Sequence, residues 1–445
     1  MKPPFKSVPS SINAPTGFRS AGVFCNVKKL GTGKGSDKGE KRDLALIVSD
    51  SPAIAAGMFT TNQICAAPVK LCVANIANAR AQAIVVNSGN ANACTGEQGM
   101  LDAWEMAAAT ARALSLPADD ILVASTGRIG LTLPMPNIHT GIAAASVILD
   151  NTATAAGHVA EAIMTSDSRP KEIAVEIKLG GKTVRIGGIC KGAGMIQPGM
   201  SPTGARPASL PLHATMLGFV TTDAAIAPKA LQAALRQAVA NSFNRITVDG
   251  DMSTNDTVIV LANGLAGNPK IPANGFKNNA DFQKFEAALC HVCLELAKMI
   301  VRDGEGVHRV VKVMVSGAKS VKEADQAARA VANSALVKTS WHGGDPNWGR
   351  IIDALGYSDA KVVENKVDIG YSASGKSKIT WSLKQGQPTK TTFERLCQAV
   401  APKEFDLHIH LNLGTGSTFI YAADLTEEYV EFNKGDIADP ASLGG

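Results

Sequence analysis

Aromatic residues are scarce in this chain, at 5% of its 445 positions. Bulky rings cannot dominate the core, so small side chains must do much of the packing. The 42 glycines predict frequent tight turns. An excess of charge of one sign is also missing. Lysine and arginine number 44 against 39 acidic residues, a net charge of +5, without the basic face expected of a nucleic-acid-binding protein. Cations do thicken between Lys28 and Arg42, but glycine and aspartate interrupt them, and the stretch reads as a solvated loop rather than an anion site. No run approaches the roughly 18 continuous apolar residues that span a bilayer, so no membrane partner is expected. The opening MKPPFKSVPSSINAPTGF has no apolar segment of the secretory kind. The eight cysteines, at 25, 65, 72, 94, 190, 290, 293 and 397, lack the spacing of a small disulfide framework and read as reduced thiols of a cytoplasmic protein. With 45% hydrophobic and 19% charged residues, a disordered chain is excluded.

What is present reads as a globular α/β chain without internal repeats. Leu44–Val48, Ala83–Asn87 and Ile121–Ala124 are short apolar bursts closed by Ser, Asn or Gly, as strands are. The alanine- and methionine-rich stretch Leu101–Ala113 reads as a helix, as do 228–241, 280–302 and 321–335. Residues 173–179 and 183–189 alternate around Gly180-Gly181, a hairpin signal. A second hairpin is expected at 407–413 and 418–423, turned by Gly414-Thr415-Gly416. Residues 1–17 read as loosely attached. The segment 201–213, SPTGARPASLPLH, has no periodicity and is the clearest loop, so a boundary is expected at 201–214.

Few constellations carry chemistry. Cys290 and Cys293 form a C-x-x-C, but zinc wants four ligands and no second pair follows, so buried thiols are expected. His408 and His410 share one face of a strand with no carboxylate to complete a metal site, which favours a structural role. Neither a dinucleotide fingerprint nor a phosphate-binding lysine loop occurs, and G-x-S-x-G and H-E-x-x-H are absent. Two segments differ. Ala124-Ser125-Thr126-Gly127 closes a strand and places a hydroxyl beside a glycine N–H, a pair suited to a developing oxyanion. The second is His213-Ala214-Thr215-Met216-Leu217. A threonine freed by a cut before it gains an α-amino group with a pKa near 8, and nucleophile and base become one residue. Ala214 is small enough not to crowd the attack that such a self-cleavage needs.

At these segments the sequence resembles the ornithine acetyltransferase (bifunctional glutamate N-acetyltransferase) family of arginine biosynthesis. The shared strings include GFRSAGV (17–23), DLALIVSD (43–50), AAGMFTTN (55–62), AIVVNSGNANACTG (83–96), VASTGRIG (123–130), IMTSDSRPK (163–171) and KGAGMI (191–196). They continue with ATMLGFVTTDA (214–224), NRITVDGDMSTNDT (244–257), VRDGEG (301–306), DPNWGRI (345–351) and DLTEEYVEFN (424–433), collinear over 14–433. The resemblance implies an α/β fold of the DmpA/ornithine-acetyltransferase type, with helices packed on stacked mixed sheets. It implies self-cleavage between Ala214 and Thr215, an α chain of 1–214, a β chain of 215–445 and an α2β2 heterotetramer. Thr215 would be the acetylated nucleophile, Thr126 and Gly127 the oxyanion pair. Thr165, Lys191, Glu305 and Asn433 would contact substrate. The implied reaction moves acetyl from N2-acetylornithine to glutamate, with no metal and no bound cofactor; whether acetyl-CoA also serves as co-substrate stays open.

Two places depart from the family pattern. Family members run from a Pro-x-Met step straight into Ala-Thr-Met-Leu, whereas here Pro198-Gly199-Met200 is followed by the insertion 201–213. Thr203 within it lacks the following Met-Leu. Five places after Asn433, where the family has a hydroxyl, stands Ala438, with Ser442 the nearest substitute. The rival readings are a hydrolytic amidase or aminopeptidase using the same nucleophile, and a non-enzymatic paralogue. The strings around Lys191 and Glu305 favour the transferase, because water as acceptor needs no amino-acid site.

Overall fold

The computed structural model describes residues 5–28, 41–205 and 216–434. Chain order gives strands β1 (Lys6–Ser7), β2 (Phe18–Val23), β3 (Leu44–Thr60), β4 (Arg80–Asn90), β5 (Ile121–Arg128), β6 (Lys171–Leu179), β7 (Lys182–Lys191), β8 (Met200–Ser201), β9 (Leu217–Thr222), β10 (Ile246–Thr247) and β11 (Thr257–Ala262). Then follow β12 (Val310–Ala318), β13 (Asp368–Ala373), β14 (Thr380–Lys384), β15 (Gln387–Pro388), β16 (Glu404–His410) and β17 (Gly416–Ala423). The helices are α1 (Ala67–Asn75), α2 (Gly96–Leu114), α3 (Met135–Val147), α4 (Ala153–Ala162), α5 (Pro228–Ala240), α6 (Ala280–Arg302), α7 (Val321–Asn333), α8 (Ala335–His342), α9 (Trp348–Gly356), α10 (Phe393–Val400) and α11 (Glu427–Phe432).

The described residues form two mixed sheets, as the α/β reading expects. The larger runs β1-β6-β7-β9-β11-β3-β4-β5, with β2 and β8 also on β3. Its strand β9 is buried at every position, and its side chains alternate between two cores. Val220, with Val258 and Val260, joins Leu231, Leu235, Phe285 and Leu296 of α5 and α6. Leu217 and Phe219 join Ile84, Val86, Leu122 and Ala124 of β4 and β5. The opposite face of β4 and β5, including Val85 and Val123, packs on Met106 of α2 and Ile142 of α3. One continuous sheet therefore packs on α5 and α6 through one core and on α2 and α3 through another, with the core of Leu217 and Phe219 between them. The smaller sheet, β10-β17-β12-β16-β13-β14-β15, packs one face on α7 to α10. No helix among the described residues is long and apolar enough to cross a membrane.

Strands β9 and β11 lie after residue 214 yet sit in the middle of the larger sheet, flanked by β7 and β3 from before it. A chain cut at 214/215 would remain one sheet.

The helices start as their sequences direct. Asn279 caps α6 by accepting the Phe282 N–H at 2.9 Å, and Ser320 caps α7 from Glu323 at 3.1 Å. Ser334 starts α8, ending the expected helix 321–335 at Asn333. The first hairpin forms: Leu179 pairs with Lys182, and Gly180 and Gly181 have φ of 52° and 80°, the left-handed pair of a type I′ turn.

Three expectations fail. Strands β16 and β17 are not a hairpin, because β12 lies between them, parallel to one and antiparallel to the other. Their connection crosses the end of β12, where Leu411 and Leu413 donate to Ser316 and Gly317 at 2.9 and 2.6 Å. A side chain at Gly416 would meet the Ser320 carbonyl at 2.3 Å, so its glycine serves close passage. Residues 11–13 are not loose. Ile12 is fully buried, and its carbonyl accepts from the Thr221 hydroxyl at 2.6 Å. The strand expected to end at Val48 continues to Thr60, because Asp50-Ser51-Pro52 makes a bulge between Val48 and Ala53 rather than a turn.

Candidate active site

Strand ends from both sides of residue 214 meet at one place. Strand β5 closes with Thr126 and Gly127 opposite Ser88 and Gly89 of β4. Gly127 has φ of 130°, and a Cβ on it would lie 2.3 Å from the Gly89 carbonyl carbon, so only glycine fits. Asn255 pins this corner, donating to the carbonyls of Ala91 and Ser125 at 2.7 and 2.8 Å. Thr126 is 2% exposed.

Lys191 ends β7 beside Leu217, the first residue of β9. Its Nζ donates to Thr165 Oγ1 at 2.6 Å and to Thr126 Oγ1 at 3.3 Å. It is 3% exposed. Burial pushes its pKa down, while Asp167, Glu305 and Asp256 favour its charge and Lys171 opposes it. Below it lies a buried ionic group. Lys171 Nζ meets Asp167 Oδ1 at 2.6 Å and Asp303 Oδ2 at 2.5 Å, and Lys191 stands 4.0 Å from Asp167 Oδ2. Burial opposes the charge of Asp167, but Lys171, Lys191 and the Gly192 N–H outweigh it and hold its carboxyl well below the usual range.

Glu305 approaches from the end of α6. Its carboxylate accepts from Asn433 Nδ2 at 2.9 Å, and a Cβ on Gly194 would meet that carboxylate at 2.5 Å. Burial raises the Glu305 pKa, against hydrogen bonds from Ser166 and Asn433. Asp249 fixes the adjoining loop by accepting the N–H groups of Met195 and Ile196 at 2.6 and 2.8 Å.

Ala214 and Thr215 lie outside the described residues, as do 206–213 and Ala438 and Ser442. Met216 is described. Its N–H donates to Asp256 Oδ1, and Thr257 pairs with Leu217 across β9 and β11. Asp256 is fully buried, Oδ2 has no hydrogen-bond partner, and burial raises its pKa well above the carboxylate range. The structure thus gathers Thr126, Gly127, Thr165, Lys191, Glu305 and Asn433 around the start of β9.

Sequence reasoning missed Asp167, Lys171, Asp303 and Asp256. Each stands in a string that carried the resemblance, but a charged residue in a strand or loop looks solvent-facing until the fold buries it. The other candidates stand elsewhere. His408 bonds Ser372 at 2.8 Å, and His410 meets Trp381 edge to face with ring centroids 5.1 Å apart. Cys293 is buried in α6 and Cys290 half-buried, with burial pushing the Cys290 thiol up to about 11. Among the described residues no three His, Cys, Asp or Glu could hold a metal. A cavity of about 450 Å³ lined by Val307, His308, Arg309, His342, Ala401 and Lys403 contains none of the site residues. His308 there pairs with Glu428 at 2.8 Å, and Arg309 donates to the Ala401 carbonyl at 3.2 Å.

The chain matches the ArgJ family model over residues 27–435. It is 44% identical over 422 residues to the arginine biosynthesis bifunctional protein ArgJ of Symbiobacterium thermophilum, covering 95% of this chain and 97% of that one. Identity to the protein of the same name from Dehalococcoides mccartyi is 43% over 425 residues, covering 95% and 96%. Among solved structures, ornithine acetyltransferase from Mycobacterium tuberculosis, complexed with ornithine, is 36% identical, covering 44% of this chain and 99% of that one at a TM-score of 0.40.

Proposed function

The chain belongs to the ArgJ family, and from that membership we propose that it transfers acetyl from N2-acetylornithine to glutamate in arginine biosynthesis. What supports this at the site is the buried Lys191 ammonium, held between the hydroxyls of Thr126 and Thr165 beside the start of β9. A compact cation there suits a carboxylate, which both amino-acid substrates carry. The Glu305 carboxylate, held by the Asn433 amide, supplies the opposite charge, suited to an ammonium.

The chain first matures. The Thr215 hydroxyl attacks the Ala214 carbonyl, the amide bond breaks with its nitrogen taking the hydroxyl proton, and water hydrolyses the ester. The freed α-amine then accepts the Thr215 hydroxyl proton as its oxygen attacks the acetyl carbonyl of N2-acetylornithine. Thr126 and Gly127 face the oxyanion. Ornithine leaves with that proton. The glutamate amine attacks the acetyl-threonine, and N-acetylglutamate leaves as the Thr215 oxygen regains a proton. The reaction balances without metal or bound cofactor. The two chains stay together because β9 and β11 are central to the shared sheet, and we propose that two such pairs assemble as α2β2 in the cytoplasm.

The test is an assay with N2-acetylornithine, with and without glutamate. Ornithine release that requires glutamate and equals N-acetylglutamate formed is the expected result. Equal release of ornithine and acetate without glutamate would assign the hydrolytic reading instead. Acetyl-CoA, offered as sole donor, decides whether the enzyme has the second activity.

A further inference from the structure

We propose that Asp167 is the positioning residue of the substrate site, fixing Thr165 and Lys191 relative to each other and, through Lys171 and Asp303, tying both to the Glu305 side. The proposal rests on the reading that Lys191 binds substrate carboxylate.

Asp167 bonds three segments at once. Oδ1 accepts the Gly192 N–H at 2.7 Å and Lys171 Nζ at 2.6 Å. Oδ2 accepts the Thr165 N–H at 3.0 Å and lies 4.0 Å from Lys191 Nζ. The hydroxyl of Thr165 receives Lys191, so the carboxylate holds both ends of that hydrogen bond. Lys171 then reaches Asp303 at 2.5 Å, and the Ser168 N–H joins Asp303 at 3.1 Å. Asp303 stands two residues before Glu305 and after the Ala214–Thr215 bond, so the lysine links the two halves of the chain. Lys171, Lys191, Asp167 and Asp303 are at most 3% exposed, two buried cations facing two buried carboxylates, and the exposed Arg169 adds a third cation 3.7 Å from Asp303.

An ion pair that merely neutralises Lys171 would need only the contact to Lys171. The bonds to Thr165 and Gly192 are what carry the effect to the site. Asp167 meets Thr165 through the backbone N–H and lies 4.0 Å from Lys191 Nζ, so it acts through its neighbours.

Lys191 faces Asp167, Lys171, Glu305 and Asp256. Asp167→Asn keeps the shape and removes the charge that most favours the Lys191 ammonium. The expected result is a rise of about tenfold or more in KM for glutamate, a smaller change in kcat, and a basic limb of the kcat/KM profile that moves to lower pH. In lysine-labelled protein, the Lys191 signal, identified by its loss in Lys191→Met, should titrate at lower pH in the variant. If Asp167→Asn folds poorly, Asp167→Asn/Lys171→Met restores charge balance and should regain stability while KM stays raised. A wild-type KM in the double variant, or an unmoved Lys191 titration in Asp167→Asn, overturns the proposal. A wild-type protein that transfers no acetyl, but whose Lys191 titration shifts on substitution, would overturn the function and leave the positioning role standing.

Discussion

Replacing Gly127 by alanine tests whether the backbone at the end of β5 is set by contact rather than by chance. Two costs add. At φ of 130° an L residue is strained by about 1–3 kcal/mol. The new methyl would also lie 2.3 Å from the Gly89 carbonyl carbon and 2.5 Å from the Asn90 nitrogen, atoms that cannot swing away as a side-chain tip can. Forcing them apart costs a further 1–3 kcal/mol or so. Together the loss is about 2–6 kcal/mol, and the displaced β4–β5 end carries Thr126 with it. Gly130→Ala is the control: φ is 87°, but no atom lies within 4 Å of the added carbon, so only the strain remains. Urea midpoints of both variants and their acetyl-transfer rates measure the difference. Gly127→Ala should unfold at distinctly lower urea and turn over about 100-fold more slowly or worse, while Gly130→Ala stays near wild type in rate. Equal midpoints and equal rates would refute the reasoning.

Other substitutions probe the remaining groups. Thr126→Ala removes one oxyanion group and one acceptor of Lys191, and kcat should fall by about 10²–10³ with the fold retained; a rate within a few-fold of wild type would remove Thr126 from that role. Lys171→Met leaves Asp167 and Asp303 buried without their shared cation, and should cost about 3–5 kcal/mol by denaturant titration. Asp256 has a pKa raised by burial, so the folded state holds a proton that the unfolded chain releases. Its contribution is present at low pH and lost as pH rises through the folded value. Asp256→Asn, still able to accept the Met216 N–H, should therefore raise the melting temperature at about pH 8 and leave it unchanged near pH 4. A gain of the same size at both pH values would contradict the burial argument.

Much of the fold was legible because local signals agreed with the tertiary outcome. Gly180-Gly181 dictated a turn that its strands could use, and the helical periods of 280–302 and 321–335 became α6 and α7, which start at Ala280 and Val321. The long-range choices were not legible. Nothing in 404–423 says that β12 will insert between two strands joined by a glycine-rich link, because strand pairing is decided by which neighbours bury the same face. The strand reads as ending at Val48 because Ser49 and the polar Asp50 and Ser51 interrupt its apolar run, whereas in the fold 50–52 form a bulge and the pairing resumes at Ala53. At the site, Thr126 and Gly127 stood out as a hydroxyl beside a glycine at a strand end, Thr165, Lys191, Glu305 and Asn433 were found through family strings, and the structure adds how Lys191 meets both threonines. Asp167 and Asp303 escaped because their meaning lies in a shared buried partner, Lys171, which lies 132 residues from Asp303 in the chain.

The most direct measurement is the intact mass of the denatured protein after incubation with N2-acetylornithine and no acceptor. The account predicts two chains of about 22 and 24 kDa, by residue share of 46.2 kDa, the heavier beginning at Thr215 and carrying one acetyl group that glutamate removes. A single mass near 46 kDa, or two chains of which neither gains acetyl, would contradict it.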